Sequence, residues 1–300
     1  MNPGRLLLLL LASPAAIGGQ AAASGAAVKF YLRTAGVFDS NLDHESEGQR
    51  AYGGMAALGL SAQDRHDRPT FEVTYELAAH RYSAPTRLQR LSQHGVFGLN
   101  LRPTRWLTLR SAAEVGLRGS SEDRDLSNEY SVDQRAELRL ARGTALRLTG
   151  AWRLRQYPDS QDVGRDATGR YARAELRQRL RGGGRLSLGA KLELNDAERS
   201  RYDYDRTTWS AEVETAPDRL AQMALELKFR DQRYRSRRVG GGNRQERRHD
   251  WRLQPSIAGT VRPWRTFDVT LGYGFETRRS NDASKAYTAH LVSLVLTRWW

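Results

Sequence analysis

An all-β fold, an antiparallel up-and-down transmembrane β-barrel of about fourteen strands, is what this sequence predicts. Three observations carry it. Apolar and polar residues alternate with period two along most of the chain, the alternating runs outlast ordinary soluble strands, and the connections between them are by turns long and short.

The alternation is explicit in residue after residue. Phe71, Val73, Tyr75, Leu77 and Ala79 share one face while Glu72, Thr74, Glu76 and His80 take the other. Leu146, Leu148, Gly150, Trp152 and Leu154 oppose Arg147, Thr149, Arg153 and Arg155. Leu186, Leu188, Ala190, Leu192 and Leu194 oppose Ser187, Lys191 and Glu193, and Phe267, Val269, Leu271, Tyr273 and Phe275 oppose Asp268, Thr270, Gly272 and Glu276. One apolar face at period two is a strand; a helix would spread these charges around its circumference.

Taken in order, the expected strands are 28–38, 51–62, 70–82, 91–102, 106–118, 129–141, 144–157, 170–181, 185–195, 206–215, 219–230, 248–262, 265–277 and 286–299. Each is near the length that crosses a bilayer at a tilt, about twice the usual 5–6 residues of a soluble strand. Longer polar connections follow the odd-numbered strands, at 39–50, 83–90, 119–128, 158–169, 196–205, 231–247 and 278–285. Tight turns follow the even-numbered ones, among them Arg102-Pro103-Thr104-Arg105, Arg142-Gly143, Gly182-Gly183-Gly184, Ala216-Pro217-Asp218 and Arg262-Pro263-Trp264, with 63–69 a little longer. A barrel with periplasmic turns and outer loops has this rhythm, and an even strand count puts both ends on the turn side. Aromatics fall near both sets of connections: Trp106, Trp264, Phe267, Trp299 and Trp300 by the turns, and Tyr82, Tyr130, Tyr157 and Tyr171 by the loops. That placement anticipates two aromatic girdles.

The start of the chain anticipates export. Met1 to Arg5 are short and basic, Leu6 to Leu11 are apolar, and small residues follow at Ala21-Ala22-Ala23 and Ser24-Gly25. Such an order reads as a signal peptide over 1–24, cleaved within 22–27, followed by one barrel domain over 25–300. No later stretch approaches the roughly 18 apolar residues of a membrane helix, and the mean hydropathy is negative, but hydropathy does not register strands that face lipid with alternate residues. The 300 residues contain no cysteine, which excludes disulfides and thiolate metal sites. Lys and Arg number 48 against 34 Asp and Glu, for a net charge of +14 supplied mostly by Arg. Anionic solutes and lipopolysaccharide phosphates are the partners such a surplus suits, and export makes nucleic acid the least suitable.

At this point the chain resembles bacterial outer-membrane β-barrel proteins, of the porin-like and polysaccharide-export-associated kinds. The likeness spans the whole chain and is architectural. The end, Leu291–Trp300, looks like the terminal signal read by the barrel-insertion machinery. Two registers are open there. A face ending on Trp300 carries Leu296, Leu294 and Val292 but also Arg298, while one ending on Trp299 carries Thr297, Val295, Ser293 and Leu291. Val37-Phe38-Asp39-Ser40-Asn41-Leu42 is similar to segments at the first outer loop of barrels tied to polysaccharide export or surface-lipoprotein assembly, although Asp-Ser-Asn is also ordinary turn chemistry.

With the apolar faces toward lipid, the opposite faces line the interior. The strands at 129–141, 144–157 and 170–181 then present Arg135, Arg139, Arg147, Arg153, Arg155, Arg173, Arg177 and Arg179 as pore-lining candidates. Guanidinium groups left uncompensated would favour anions, whereas pairing with Asp133, Glu137 and Glu175 would make them wall filling. Other sectors present acids: Glu72 and Glu76, Glu212 and Glu214, Asp268 and Glu276. The connection at 231–247 gathers Arg233, Arg235, Arg237, Arg238 and Arg244 into an extracellular basic loop with a Gly240-Gly241-Gly242 hinge. No catalytic or metal-binding constellation is expected, nor any cofactor: His80, His94 and His290 are scattered, and the glycine triplet lacks the helix a phosphate cradle needs. The functional expectation is an outer-membrane channel for small hydrophilic solutes, anions among them. Two alternatives stay open: a non-conducting barrel aiding assembly or export of a surface polysaccharide or protein, and an outer-membrane hydrolase.

Overall fold

The computed structural model describes residues 27–41, 50–63, 69–83, 89–120, 127–158, 164–215, 221–240 and 245–300. The expected leader lies outside the described residues, as does Arg244. Fourteen strands follow one another: β1 (Ala27–Asp39), β2 (Ala51–Gln63), β3 (Thr70–Tyr82), β4 (Gln89–Thr104), β5 (Leu107–Ser120), β6 (Asn128–Ala141), β7 (Thr144–Gln156), β8 (Ala167–Arg179), β9 (Arg185–Ala197), β10 (Tyr204–Glu214), β11 (Ala221–Val239), β12 (Glu246–Trp264), β13 (Phe267–Ser280) and β14 (Tyr287–Trp299). Each pairs antiparallel with its sequence neighbours, and β1 pairs with β14 to close the barrel. Closure satisfies every strand edge, which a sheet in lipid requires.

Side-chain period two sorts the wall into two surfaces. Leu58, Leu192, Leu225 and Leu271 stand exposed on one. On the other, ion pairs reach over intervening strands: Arg33 of β1 to Glu76 of β3 at 3.0 Å, and Arg110 of β5 to Glu72 of β3 at 3.4 Å. Arg155 of β7 donates to the Tyr204 hydroxyl of β10 at 3.0 Å. Only the concave side of a curved sheet brings such distant strands within reach, so the charged surface is the inside and the apolar one meets lipid.

At the turn end the connections are tight, and glycine enters where φ is positive: Gly143 at 86°, Gly182 at 86° and Gly183 at 93°. At the loop end the segment 231–247, expected as a loop, is largely a projecting hairpin, because β11 and β12 each run for 19 residues. Partners distant in sequence hold it straight. Arg235 grips Asp205 at 2.7 Å and also Asp196, Arg206 grips Gln232 at 2.7 Å, and Tyr234 packs edge-on against Tyr204. Short 3-10 turns at Ser200–Tyr202 and Ala283–Lys285 interrupt two other connections.

The register of the last strand is settled by its partners. Trp299 lies opposite Tyr31 on the inner face, its rings 5.1 Å from that tyrosine and its indole N–H 3.1 Å from Asp268 Oδ2. Val292, Leu294, Leu296 and Arg298 therefore face outward, followed by Trp300, whose ring stacks 5.1 Å beneath the Arg298 guanidinium. Placing that arginine at the interface, against an aromatic, resolves its intrusion into an apolar face. The Asp-Ser-Asn segment fastens the same seam at the other end. Ser40 N–H donates to His290 O at 3.0 Å, His290 N–H to Ser40 Oγ at 2.7 Å, and Asn41 N–H to Asp39 Oδ1 at 2.8 Å.

Two of the four tyrosines expected in the outer girdle turn inward. Tyr82 is buried over Gly53, and Tyr171 lies 4.0 Å beneath the Lys191 ammonium. The loop-side belt is made instead by Phe38 with Tyr52, and by the row Trp209–Phe229–Trp251 with centroids 5.8 and 6.4 Å apart. Aromatic content alone does not say which face a residue takes; strand parity does.

Candidate functional site: the basic inner wall

Pairing register assembles the inner arginines into one continuous row. Arg110 of β5 is opposite Arg135 of β6, which is opposite Thr149 of β7, and the row continues through Arg173, Lys191 and Thr208. It ends with Arg230, Arg252 and Arg278 on β11, β12 and β13. Arg110 stands near the turn end of its strand and Arg278 near the loop end of its own, so the row climbs the wall as it passes around nine strands. A tilted barrel converts a cross-strand row into a rising stripe.

Carboxylates flank the stripe and compensate most of it. Arg110 meets Glu72 at 3.4 Å and Asp133 at 3.7 Å. Arg147 meets Glu137 at 2.8 Å and Glu175 at 3.5 Å, Arg177 meets Glu175 at 3.0 Å, and Arg173 joins the same Glu175. Arg252 meets Glu276 at 2.8 Å, and Arg278 pairs with Asp250. At the centre of the wall Glu193, only 2% exposed, collects Arg153, Lys191 at 2.8 Å, Arg206 at 3.4 Å and Arg155 at 3.8 Å. Arg155 also reaches Glu129 at 3.1 Å. Burying so many charges is tolerable because each has an opposite charge within 4 Å.

All eight sequence-derived arginines lie on the inner face by strand parity. They divide into two kinds. Arg147, Arg153, Arg155, Arg173 and Arg177 are locked to acids, whereas Arg135, Arg139 and Arg179 make no ion pair among the described residues. Arg139 and Arg179 are exposed on the inner surface at the turn end, and Arg135 stands half-buried above them with its Nε unpartnered. Sequence reasoning did not single out Arg110, Arg230, Arg252 or Arg278 as members of the row, since only register brings them into line with the others.

The opposite sector of the inner face is apolar. Ala35, Val37, Met55, Ala57, Ala78, Leu291 and Val295 form one buried cluster on β14, β1, β2 and β3. Tyr31 lies flat along it over Gly59 and donates to Glu76 Oε2 at 2.8 Å. The basic loop residues are likewise distributed by the hairpin. Arg233 pairs with Asp231 at 3.4 Å, Arg235 with Asp196 and Asp205, and Arg237 with Asp282 at 3.7 Å. Arg238 stands exposed on a strand. Of the described histidines, His80 meets the Ser92 hydroxyl at 3.2 Å, His94 meets Glu114 at 2.7 Å, and His290 meets Tyr273 outside the barrel.

No family model matches the chain, and no curated protein matches it. Among solved structures it is similar to the anion-selective porin from Comamonas acidovorans, at TM-score 0.55 and 6% identity over 92% of this chain and 99% of that one. It is also similar to the outer-membrane protein OmpT of Vibrio cholerae, at TM-score 0.56 and 10% identity over 94% and 99%. A bacterial polysaccharide outer membrane secretin superposes at TM-score 0.51 and 10% identity over 90% and 98%. At these identities the likeness concerns fold. A closed fourteen-strand antiparallel wall, apolar outside and charged within, is the fold shared with these outer-membrane β-barrel proteins.

Proposed function

We propose that the barrel is a passive channel for small hydrophilic solutes and that it prefers anions. The observation that carries the reading is the rising row of inner cations, with Arg135, Arg139 and Arg179 making no ion pair among the described residues on its turn side. Fixed guanidinium groups in a low-dielectric wall raise local anion concentration and pair with carboxylate or phosphate in two-point fashion. Neutral pairs contribute little net field, so preference rests on these three together with the clusters that hold more cations than acids, such as the four cations around Glu193. One of the solved structures it resembles is an anion-selective porin, which supports the channel reading.

Planar-bilayer conductance in a KCl gradient tests this. A reversal potential of anion-selective sign is expected, moving toward zero in the Arg135→Gln, Arg139→Gln, Arg179→Gln triple variant, with liposome swelling faster for acidic than for neutral sugars. Cation preference would overturn the anionic reading. Absence of any conductance from correctly folded protein would overturn the channel itself and leave a scaffold for assembly or export of a surface polymer.

A further inference from the structure

Outside the barrel, beyond the loop-side aromatic belt, the wall carries cations that no described residue neutralises. On the outer face of the projecting hairpin Arg233 lies opposite His249 and Arg238 directly opposite Arg247, while Arg279 of β13 lies opposite Trp251. Among the described residues the acids of this face are already engaged. Asp231 holds His249 at 2.7 Å and Arg233 at 3.4 Å, and Asp205 and Asp196 hold Arg235. Arg238 and Arg247 make no ion pair among the described residues, and Arg279 has only the face of Trp251, 5.1 Å away. All three are exposed.

Like charges directly across a strand pair repel, and two extended strands hold these two together above the membrane. The patch is continuous with the lipid-facing surface. Below Trp251 the same face presents Phe229, Leu227 and Leu225, all exposed. Arg247 lies four residues beyond Trp251, about 13 Å along the strand, the zone where headgroup phosphates sit above an apolar belt. We propose that this face binds the phosphate groups of an acylated outer-leaflet glycolipid, with Arg238, Arg247 and Arg279 on the phosphates and the acyl chains over the leucines below. An open wall without a cavity offers a free anion little beyond charge, whereas a lipid adds the apolar contact. The site is on the opposite surface from the proposed conduction path, so the two readings fail independently.

The test uses the full chain folded in neutral detergent, with a fluorescent bis-phosphorylated acylated glycolipid as probe and its dephosphorylated form and inorganic phosphate as competitors. We expect saturable binding that weakens about tenfold or more in the Arg238→Gln, Arg247→Gln, Arg279→Gln triple variant and is unchanged in Arg170→Gln, an outward arginine already paired with Asp196. Equal binding by the triple variant, equal binding of the dephosphorylated lipid, or full competition by millimolar inorganic phosphate would each overturn the proposal. A single Arg247→Gln variant provides a second reading: relieving the like-charge pair should raise barrel stability in neutral detergent, and a loss of stability would count against it.

Discussion

Glu193 is the residue whose removal should injure the barrel most for the smallest change in shape. Its carboxylate accepts from Lys191 Nζ at 2.8 Å and the Tyr204 hydroxyl at 3.1 Å, and Arg153, Arg206 and Arg155 surround it. Only 2% of its side chain is exposed, and the Arg153 side chain only 5%. Glu193→Gln keeps the volume and removes the charge, leaving four cations around a neutral amide. Breaking a buried pair from one side costs about 3–5 kcal/mol, because the remaining charge stays desolvated and uncompensated. Glu137→Gln is the matched comparison. Glu137 also bridges two arginines, Arg147 at 2.8 Å and Arg177 at 3.7 Å, but its side chain is 28% exposed and both arginines keep Glu175. There the cost should be about 1 kcal/mol or less. Urea titration of the folded barrel in lipid vesicles, followed by tryptophan fluorescence, reads both. The double variant Glu193→Gln, Arg153→Met should recover part of the loss, since removing both ends of a pair relieves the orphaned charge. Equal midpoints for the two single variants would refute the burial assigned to Glu193.

Two further outcomes follow from the wall's two faces. Leu192, 60% exposed at mid-strand on the lipid side, should cost about 2–4 kcal/mol as Leu192→Arg in vesicles. Its inner-face neighbour Lys191 shows that the same height accepts a cation when it points inward, so a cost-free Leu192→Arg would invert the assignment of faces. Gly59→Ala would place a Cβ 2.1 Å from Tyr31 Cζ, displacing the ring and its hydrogen bond to Glu76. About 1–3 kcal/mol of destabilisation is expected in the same urea titration, and it should vanish in a Tyr31→Ala background; a loss of equal size there would exclude the ring contact as its cause.

Much of the architecture was legible in the linear chain because the physics of strands in lipid is local. A strand buried between hydrocarbon and a polar interior must alternate, and Phe71 to Ala79 or Phe267 to Phe275 announce their outer face residue by residue. Connection lengths gave strand direction for the same reason. The inward projection of Arg135, Arg147 and Arg173 followed from parity alone, and the structure places them so. The glycines at 143, 182 and 183 stand in turns, as their conformational freedom predicted.

What tertiary structure decided is everything that depends on register between strands. In sequence Arg135 looks the better provided, with Asp133 and Glu137 at its alternate positions where Arg147 has Ala145 and Thr149. One is free and the other is clamped because the carboxylates that reach Arg147 come from β6 and β8, at heights set by pairing. The same holds for Trp299 against Trp300, for Tyr82 turned inward over Gly53, and for the hairpin at 231–247 that Asp196 and Asp205 hold extended. Period two tells a residue which side of its own strand it occupies. Whether a guanidinium there finds a carboxylate, a ring or nothing is set by neighbours tens of residues away, and only closure of the barrel brings them to that height.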